Sequence, residues 1–194
     1  TRKESSAASD VYKRQGNSGR GSSGEAMAAS RLIFNTRCQI AEMFDVWGPE
    51  CVAFTSNDTE ALNIALQGTL HPEEGTIHVI CTEMDHNSVL RPLYRLEKKG
   101  MNLTILPVDR KGRISLTELE AAIRPETKVI VCTHASNLTG NLNDIHAIGE
   151  IAQKHQKLFI VDAAQTAGVF PISMKKDHID ILCFSGHKLS LIHI

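Results

Sequence analysis

The sequence predicts an α/β fold, a three-layer αβα arrangement around a mostly parallel, mixed sheet. Short apolar runs of five to seven residues alternate with segments of helical periodicity, which is typical of strands joined by crossover helices. Nearly every run is followed by polar or reactive side chains. These groups therefore lie at the ends of predicted strands.

The first predicted element is a helix over residues 25–47, which carry Ala, Met, Leu, Ile and Phe at helical spacing and end near the stop signal Trp47-Gly48-Pro49. Strands are expected at CVAFT (51–55), TIHVICT (76–82), NLTILPV (102–108), KVIVCTH (128–134), LFIVDAA (158–164) and DILCFS (180–185). Helices are expected at DTEALNIALQG (58–68), HNSVLRPLYRLEKKG (86–100), SLTELEAAI (115–123) and NDIHAIGEIAQKHQ (143–156). Ser115, with Glu118 three residues on, has the pattern of a helix N-cap.

The composition sets limits on the class of protein. The chain has 194 residues, of which 42% are hydrophobic and 22% charged, enough for one domain or a piece of a larger one. Its formal net charge of −1 favours neither nucleic acid nor an anionic membrane as a partner. No apolar stretch approaches the roughly 20 residues that span a bilayer, and no secretory signal is recognised.

The cysteines and glycines exclude several other sites. The five cysteines form no CxxC pair, and the last four lie in apolar runs, so we expect reduced core cysteines in a cytoplasmic protein. Gly19 to Gly24, within a Gly/Ser loop at residues 16–24, fits GxGxxG. No strand precedes it, so a dinucleotide site is not favoured. The Cys and His spacing supports no zinc site.

The polar groups at the strand ends are expected to meet. In open α/β sheets, ligands bind outside the carboxyl ends of the strands. The segments TSNDTE, EMDHNS and HASNLTG, Asp162 with Gln165, and SGHK all follow predicted strands. Five separate segments would thus converge on one crevice.

The residue types in that crevice point to pyridoxal 5′-phosphate (PLP). The helix start at Thr59 offers N–H groups and a hydroxyl for a phosphate, to which Ser185 and His187 would add donors. Lys188 is an amine at the edge of an apolar strand, where desolvation can make it nucleophilic. Asp162 ends an almost wholly apolar strand and needs a cationic partner such as a protonated ring nitrogen.

Each residue alone has a simpler interpretation. Lys188 could be a solvated surface amine, Asp162 and Thr59 could be helix caps, and His86 and His134 could be structural. All of these would have to hold at once at the ends of strands in one sheet, so we favour the joint interpretation.

Five segments, TSNDTEALNIAL, DHNSVLRPL, HASNLTGNLNDIHAIGEIA, FIVDAAQTAGVFPI and DILCFSGHKL, resemble the class V aminotransferase family of fold-type I PLP enzymes. Within that family they look most like cysteine desulfurases. The resemblance runs from about Gly16 to Leu189 and identifies residues 16–189 as an incomplete PLP-binding large domain. Residues 1–15 and 190–194 are expected to be non-native tails, and a C-terminal small domain is expected to be absent.

The resemblance implies a role for each matching residue. Lys188 is the Schiff-base lysine and shuttles protons, and Asp162 pairs with the pyridinium nitrogen. The remaining cofactor contacts are His86 and Ala164 on the two ring faces, Gln165 on the phenolic oxygen, Asn137 near the substrate, and Thr59, Ser185 and His187 on the phosphate together with the backbone N–H groups of Asn57, Asp58 and Thr59.

The sequence also departs from the family. Asp58 stands where a small residue is usual, which places an acid beside the phosphate. The arginine for the substrate carboxylate and the sulfur-accepting cysteine would lie in the absent small domain, so none of the five cysteines is assigned as nucleophile. We expect the fragment itself to be inactive. The intact protein is expected to be a homodimer acting on a small amino acid, with a sulfur-acceptor protein as partner.

Two other interpretations stay open. One is another class V PLP enzyme, such as an aminotransferase or a selenocysteine lyase. The other is a non-catalytic truncated fragment.

Overall fold

The computed structural model describes residues 24–189, and the chain divides into two units between residues 53 and 54. The expectations for residues 1–15, for the Gly/Ser loop before Gly24 and for residues 190–194 lie outside the described residues. Among the helices of residues 24–189, none is both long and apolar enough to cross a membrane.

The described part of the first unit consists of helix α1 (Gly24–Met43) and a short 3-10 turn at Pro49–Cys51. The helix ends earlier than predicted because Asp45 adopts a left-handed conformation with φ of 52°. The Val46 N–H then donates to the Ala41 carbonyl at 2.8 Å, which closes a Schellman-type helix end.

The strand predicted at residues 51–55 is wrong. A 3-10 turn begins this segment: the Cys51 N–H donates to the Gly48 carbonyl at 3.1 Å and the Val52 N–H to the Pro49 carbonyl at 3.2 Å. Pro49 suits the first position of such a turn, where proline is common. No described strand pairs with residues 52–55. Cys51 is exposed, not a core cysteine as expected.

The second unit is a parallel α/β sheet. Its strands are β1 (His78–Thr82), β2 (Asn102–Leu106), β3 (Thr127–Thr133), β4 (Leu158–Asp162) and β5 (Ile181–Cys183). They lie in the order β2-β1-β3-β4-β5, and all four pairings among them are parallel. Its helices are α2 (Asp58–Thr69), α3 (Asn87–Glu97), α4 (Leu116–Ala122) and α5 (Ile145–Lys154). The Ser115 cap is confirmed, since its hydroxyl accepts from the Glu118 N–H at 3.3 Å.

The core forms on both faces of the sheet. On one face, α2 and α3 pack on alternate strand residues such as Val79, Val129 and Ile160 in a single buried cluster. The residues between them, such as Ile80 and Phe159, are also buried and face the other way because strand side chains alternate. Helices α4 and α5 contact each other and pack on β2 and β4. The α/β fold class predicted from the sequence is confirmed.

This topology determines where a ligand can bind. From β1 the chain crosses through α3 to β2 on one side, whereas from β3 it crosses through α5 to β4 on the other. The connections diverge between β1 and β3, and a crevice opens at the carboxyl ends of these strands.

Candidate active site

A cavity of about 320 Å³ lies at the carboxyl ends of β1, β3, β4 and β5 and at the N-terminus of α2. The eleven site residues proposed from the sequence all line it: Asn57, Asp58, Thr59, His86, Asn137, Asp162, Ala164, Gln165, Ser185, His187 and Lys188. Sequence reasoning missed three other lining residues, Ser88, Thr133 and Ala135. Thr133 is the last residue of β3, so the strand-end rule could have found it.

The cavity has a buried floor and an open rim. Asp58, Asp162 and Ser185 are 8%, 3% and 7% exposed and form the floor. The rim is formed by the exposed residues Asn57, Thr59, His86, Asn137, Gln165, His187 and Lys188. Polar groups on the floor therefore lie in a low-dielectric environment, where an unpaired charge is costly.

The N-terminus of α2 is capped but retains a free donor. The Asn57 side chain accepts from the Glu60 N–H at 2.9 Å, and the Glu60 carboxylate accepts from the Ser56 N–H at 2.6 Å. The Asp58 N–H donates to the Ser185 hydroxyl at 3.3 Å. Within residues 24–189 the Thr59 N–H has no partner. Together with the Thr59 and Ser185 hydroxyls, it provides donors for an anion at the positive end of the helix dipole.

Asp162 is the carboxylate at the end of β4. Its Oδ1 accepts from the Ala164 N–H at 2.9 Å, and no ion pair to it forms among the described residues. Burial raises the pKa of Asp162, while His86 and Lys188 act in the opposite direction. A cationic group placed in the cavity would stabilise this carboxylate.

Asp58 is a second carboxyl group on the floor. It lies within hydrogen-bonding reach of Asp162, and its Oδ1 is buried with no partner in the described residues. Burial and, after it, the nearby Asp162 carboxylate raise the pKa of Asp58 to about 7, while Lys188 acts in the opposite direction. Asp58 thus lines the cavity with a carboxyl group that is buried and raised in pKa.

His86 lies at the start of α3, where its own side chain is the N-cap. Its Nδ1 accepts from the Ser88 N–H at 3.2 Å and lies 2.8 Å from the Ser88 Oγ. Because Nδ1 accepts from a backbone N–H, a neutral His86 carries its proton on Nε2. Ser88 is buried beneath it and was missed, although its place two residues after His86 is a usual one for a capping partner.

Lys188 lies on a 3-10 turn, Gly186–Lys188, that follows β5. Its N–H donates to the Ser185 carbonyl at 3.1 Å. Its side chain is exposed among the described residues, so the desolvation expected from the preceding apolar strand is not observed there. It is nevertheless near enough to the two floor carboxyls to lower the pKa of each.

Asp85, in the polar segment after β1, ties two strand ends together and does not line the cavity. Its carboxylate accepts from the Thr82 N–H at 2.7 Å, the Thr82 hydroxyl at 2.9 Å and the Thr133 N–H at 2.5 Å. Burial raises its pKa to about 7. It positions the loop that carries His86.

Comparison with known proteins places the chain in a family. The model of the class-V aminotransferase family matches residues 5–190. The chain belongs to this family, as the resemblance of its motifs indicated.

Several curated relatives of the chain are cysteine desulfurases. The cysteine desulfurase IscS of Vibrio atlanticus (strain LGP32) is 37% identical over 161 residues, which is 82% of this chain and 40% of the relative. The chain therefore spans less than half the length of this curated relative.

Two solved structures share the fold. A structure of SspA in complex with cysteine is 32% identical with a TM-score of 0.86, and the match covers 91% of this chain and 50% of that one. The apo structure of a cysteine desulfurase from Thermococcus onnurineus NA1 is 32% identical with a TM-score of 0.82, covering 88% of this chain and 42% of that one.

Proposed function

We propose that the intact protein is a PLP-dependent cysteine desulfurase that converts L-cysteine and an enzyme thiol into L-alanine and an enzyme persulfide. One observation carries the proposal: a phosphate-type donor set, a buried carboxylate and an amine line a single cavity. The cysteine desulfurase relatives support cysteine as the substrate. Because the chain spans about 40% of the length of the relative, we expect it to be inactive alone.

The residues of the cavity fit PLP. Asp162 would hold the ring nitrogen, because it is a buried carboxylate without an ion-pair partner among the described residues. Thr59, Ser185 and His187 would hold the phosphate, with the unpaired Thr59 N–H. His86, Ala164 and Gln165 would bind the ring. When bound, PLP supplies an electron sink that stabilises negative charge at the α-carbon of an amino acid.

The chain's own side chains would then position groups and move protons. The exposed Lys188 amine has no ion pair among the described residues and is the group that would accept and return a proton at the α-carbon of the substrate. His86 presents Nε2–H as a donor because its Nδ1 is occupied by Ser88. Asn137 on the rim would orient the substrate by hydrogen bonds.

The test is borohydride reduction in the presence of PLP, followed by peptide mapping, on the 194-residue chain and on the full reading frame. We expect a pyridoxyl adduct on Lys188 that is lost in Lys188→Arg and retained in the control Lys98→Arg, which changes an exposed lysine away from the cavity. An adduct distributed evenly over the lysines of the full-length protein, or none, would refute the PLP proposal.

The products identify the reaction. With an added dithiol that reduces the enzyme persulfide and releases its outer sulfur as sulfide, the full-length protein should form alanine and sulfide from cysteine, whereas a class V aminotransferase would release a keto acid. A selenocysteine lyase would prefer the selenium substrate. The homodimer, the sulfur-acceptor protein, the cytoplasmic location and the incomplete large domain at residues 16–189 stay predictions.

A further inference from the structure

The floor of the cavity holds two carboxyl groups where a PLP-type site requires one. Asp58 and Asp162 come from different elements, the first turn of α2 and the end of β4. Both are more than nine-tenths buried, and their carboxyl groups are within hydrogen-bonding reach. Asp58 Oδ1 has no donor among the described residues.

Two negative charges are unfavourable in this position. Adjacent carboxylates in a low-dielectric environment repel each other, and a pair of this kind retains one proton between them. The groups that face the pair are Lys188 on the 3-10 turn, His86 at the start of α3, Cys132 on β3 and Cys183 on β5. Asp85, in the loop after β1, is a further acidic group near Asp162, and its own pKa is raised by burial. Lys188 is exposed, so its attraction for either carboxylate is screened by water.

We propose that Asp58 and Asp162 share one proton, held on Asp58, so that the floor carries a single negative charge at Asp162 and a neutral acid at the N-terminus of α2.

The donors in the structure decide which group holds the proton. Asp162 accepts from the Ala164 N–H, which stabilises its charged form. Asp58 Oδ1 accepts from nothing in the described residues, so its charge would be compensated only by the dipole of α2 and, weakly, by the solvent-screened Lys188. The dipole favours the charged form only modestly at a buried oxygen that lacks a donor. The raised pKa of Asp58, about 7, agrees with this order.

The proton has a consequence that rests on the proposed function. A carboxylate beside the Thr59 donors would repel a phosphate, whereas a neutral acid there would not. Proton uptake by Asp58 therefore makes the anion site at α2 available.

The first experiment needs no cofactor. Folded Asp58 binds its proton more tightly than unfolded Asp58, so its contribution to stability falls as pH rises from about 4 to about 7. We expect Asp58→Asn, which is neutral at every pH, to gain several degrees in Tm relative to the wild type between about pH 5 and about pH 8. The control Asp144→Asn removes an exposed carboxylate cap from α5 and should show no such gain.

Infrared difference spectra give a direct measurement if Asp58→Asn folds poorly. Near pH 6 the full-length wild type should show the carbonyl stretch of a protonated carboxyl group that titrates and that is lost in Asp58→Ser. Asp85 is common to both proteins and cancels in the difference. A Tm difference that does not change with pH, or a wild-type spectrum identical to that of Asp58→Ser, would overturn the shared proton.

PLP titration of the full-length protein then tests the consequence. From about pH 6 to about pH 8, the Kd of the wild type for PLP should rise about tenfold more than the Kd of Asp58→Asn. This is the loss of affinity expected when PLP binds only to the form in which Asp58 is protonated. Parallel pH profiles for the two proteins would overturn the effect of Asp58 on phosphate binding. If neither protein binds PLP at any pH, the proposed function fails, while the unfolding and infrared results still decide whether the proton is shared.

Discussion

At the scale of the residue, the best-defined side chain on the rim is His86. Its imidazole is exposed, yet its orientation is set by Ser88, whose N–H and Oγ both meet Nδ1. The sequence alone identifies His86 only as a histidine that follows a predicted strand. The hydrogen bonds determine which ring nitrogen remains available to a ligand.

Replacing Ser88 by alanine should loosen His86 while leaving the fold intact. The hydroxyl contact is lost but the backbone N–H remains, so we expect the free energy of unfolding to fall by about 0.5–1.5 kcal/mol. Nitrogen NMR of the imidazole should show a smaller Nε2–H population, restored in Ser88→Thr.

A matched control separates the two effects of the Ser88 substitution. Ser115→Ala removes the cap of α4 and should cost about 1 kcal/mol without moving the His86 resonances. An unchanged His86 tautomer in Ser88→Ala would show that Ser88 does not position the ring.

Asp85 and His86 lie in the same loop after β1 but have different partners. The segment after β1 was correctly predicted to be polar and close to the cavity. The sequence did not distinguish His86, which lines the cavity, from Asp85, which bonds Thr82 and Thr133 beneath it. Both are polar residues in the same short loop, and only their partners differ.

At the scale of the element, α5 approaches the chain before β5 so closely that one position admits no side chain. A Cβ added to Gly149 would overlap the carbonyl oxygen of Asp177. Gly149 lies inside a helix, where glycine is intrinsically unfavourable. Its presence is explained by this close backbone approach.

Gly149→Ala should therefore destabilise the protein despite the better helix propensity of alanine. We expect a loss of about 1–3 kcal/mol, because the overlapping atom belongs to the backbone and α5 must shift. Urea unfolding measures the change.

The matched control is Gly68→Ala in α2, where nothing lies within 4 Å of the added Cβ. This substitution should stabilise the protein by about 0.5–1 kcal/mol. Equal effects at the two glycines would contradict the packing of α5 described above.

At the scale of the whole molecule, the accessibility of the cysteines shows whether the sheet has formed. Cys81, Cys132 and Cys183 lie buried on β1, β3 and β5, whereas Cys51 is exposed. Burial raises the pKa of Cys81 well above its usual range and that of Cys183 to about 12. Buried, protonated thiols react poorly because the thiolate is the nucleophile.

Thiol labelling at neutral pH should therefore modify Cys51 quickly and the three strand cysteines only after unfolding. Mass spectrometry of alkylated peptides, with and without denaturant, measures this pattern. Rapid labelling of Cys81 and Cys132 in native buffer would show that the sheet does not form in the 194-residue chain. Cys51→Ser should remove the fastest labelling, while the half-buried Cys38 of α1 still reacts more slowly in native buffer.

The sequence by itself determined the elements and the chemistry available to them. Apolar runs and helical spacing are local patterns, so β1 to β5 and α2 to α5 were each predicted, with ends displaced by a few residues. The segment at 51–55 failed because an apolar run becomes a strand only if another strand pairs with it. The residue types at the strand ends, together with the family resemblance, identified eleven of the residues that line the cavity and missed Ser88, Thr133 and Ala135.

The tertiary structure alone decided how these residues meet. The order β2-β1-β3-β4-β5 brings Asp58 to Ser185 across 127 positions of the chain and sets Asp58 against Asp162. Contacts over such separations depend on how all the crossovers pack, and no local pattern encodes them. The proton shared between the two carboxyls is a property of that packing, because it exists only where both groups are buried together.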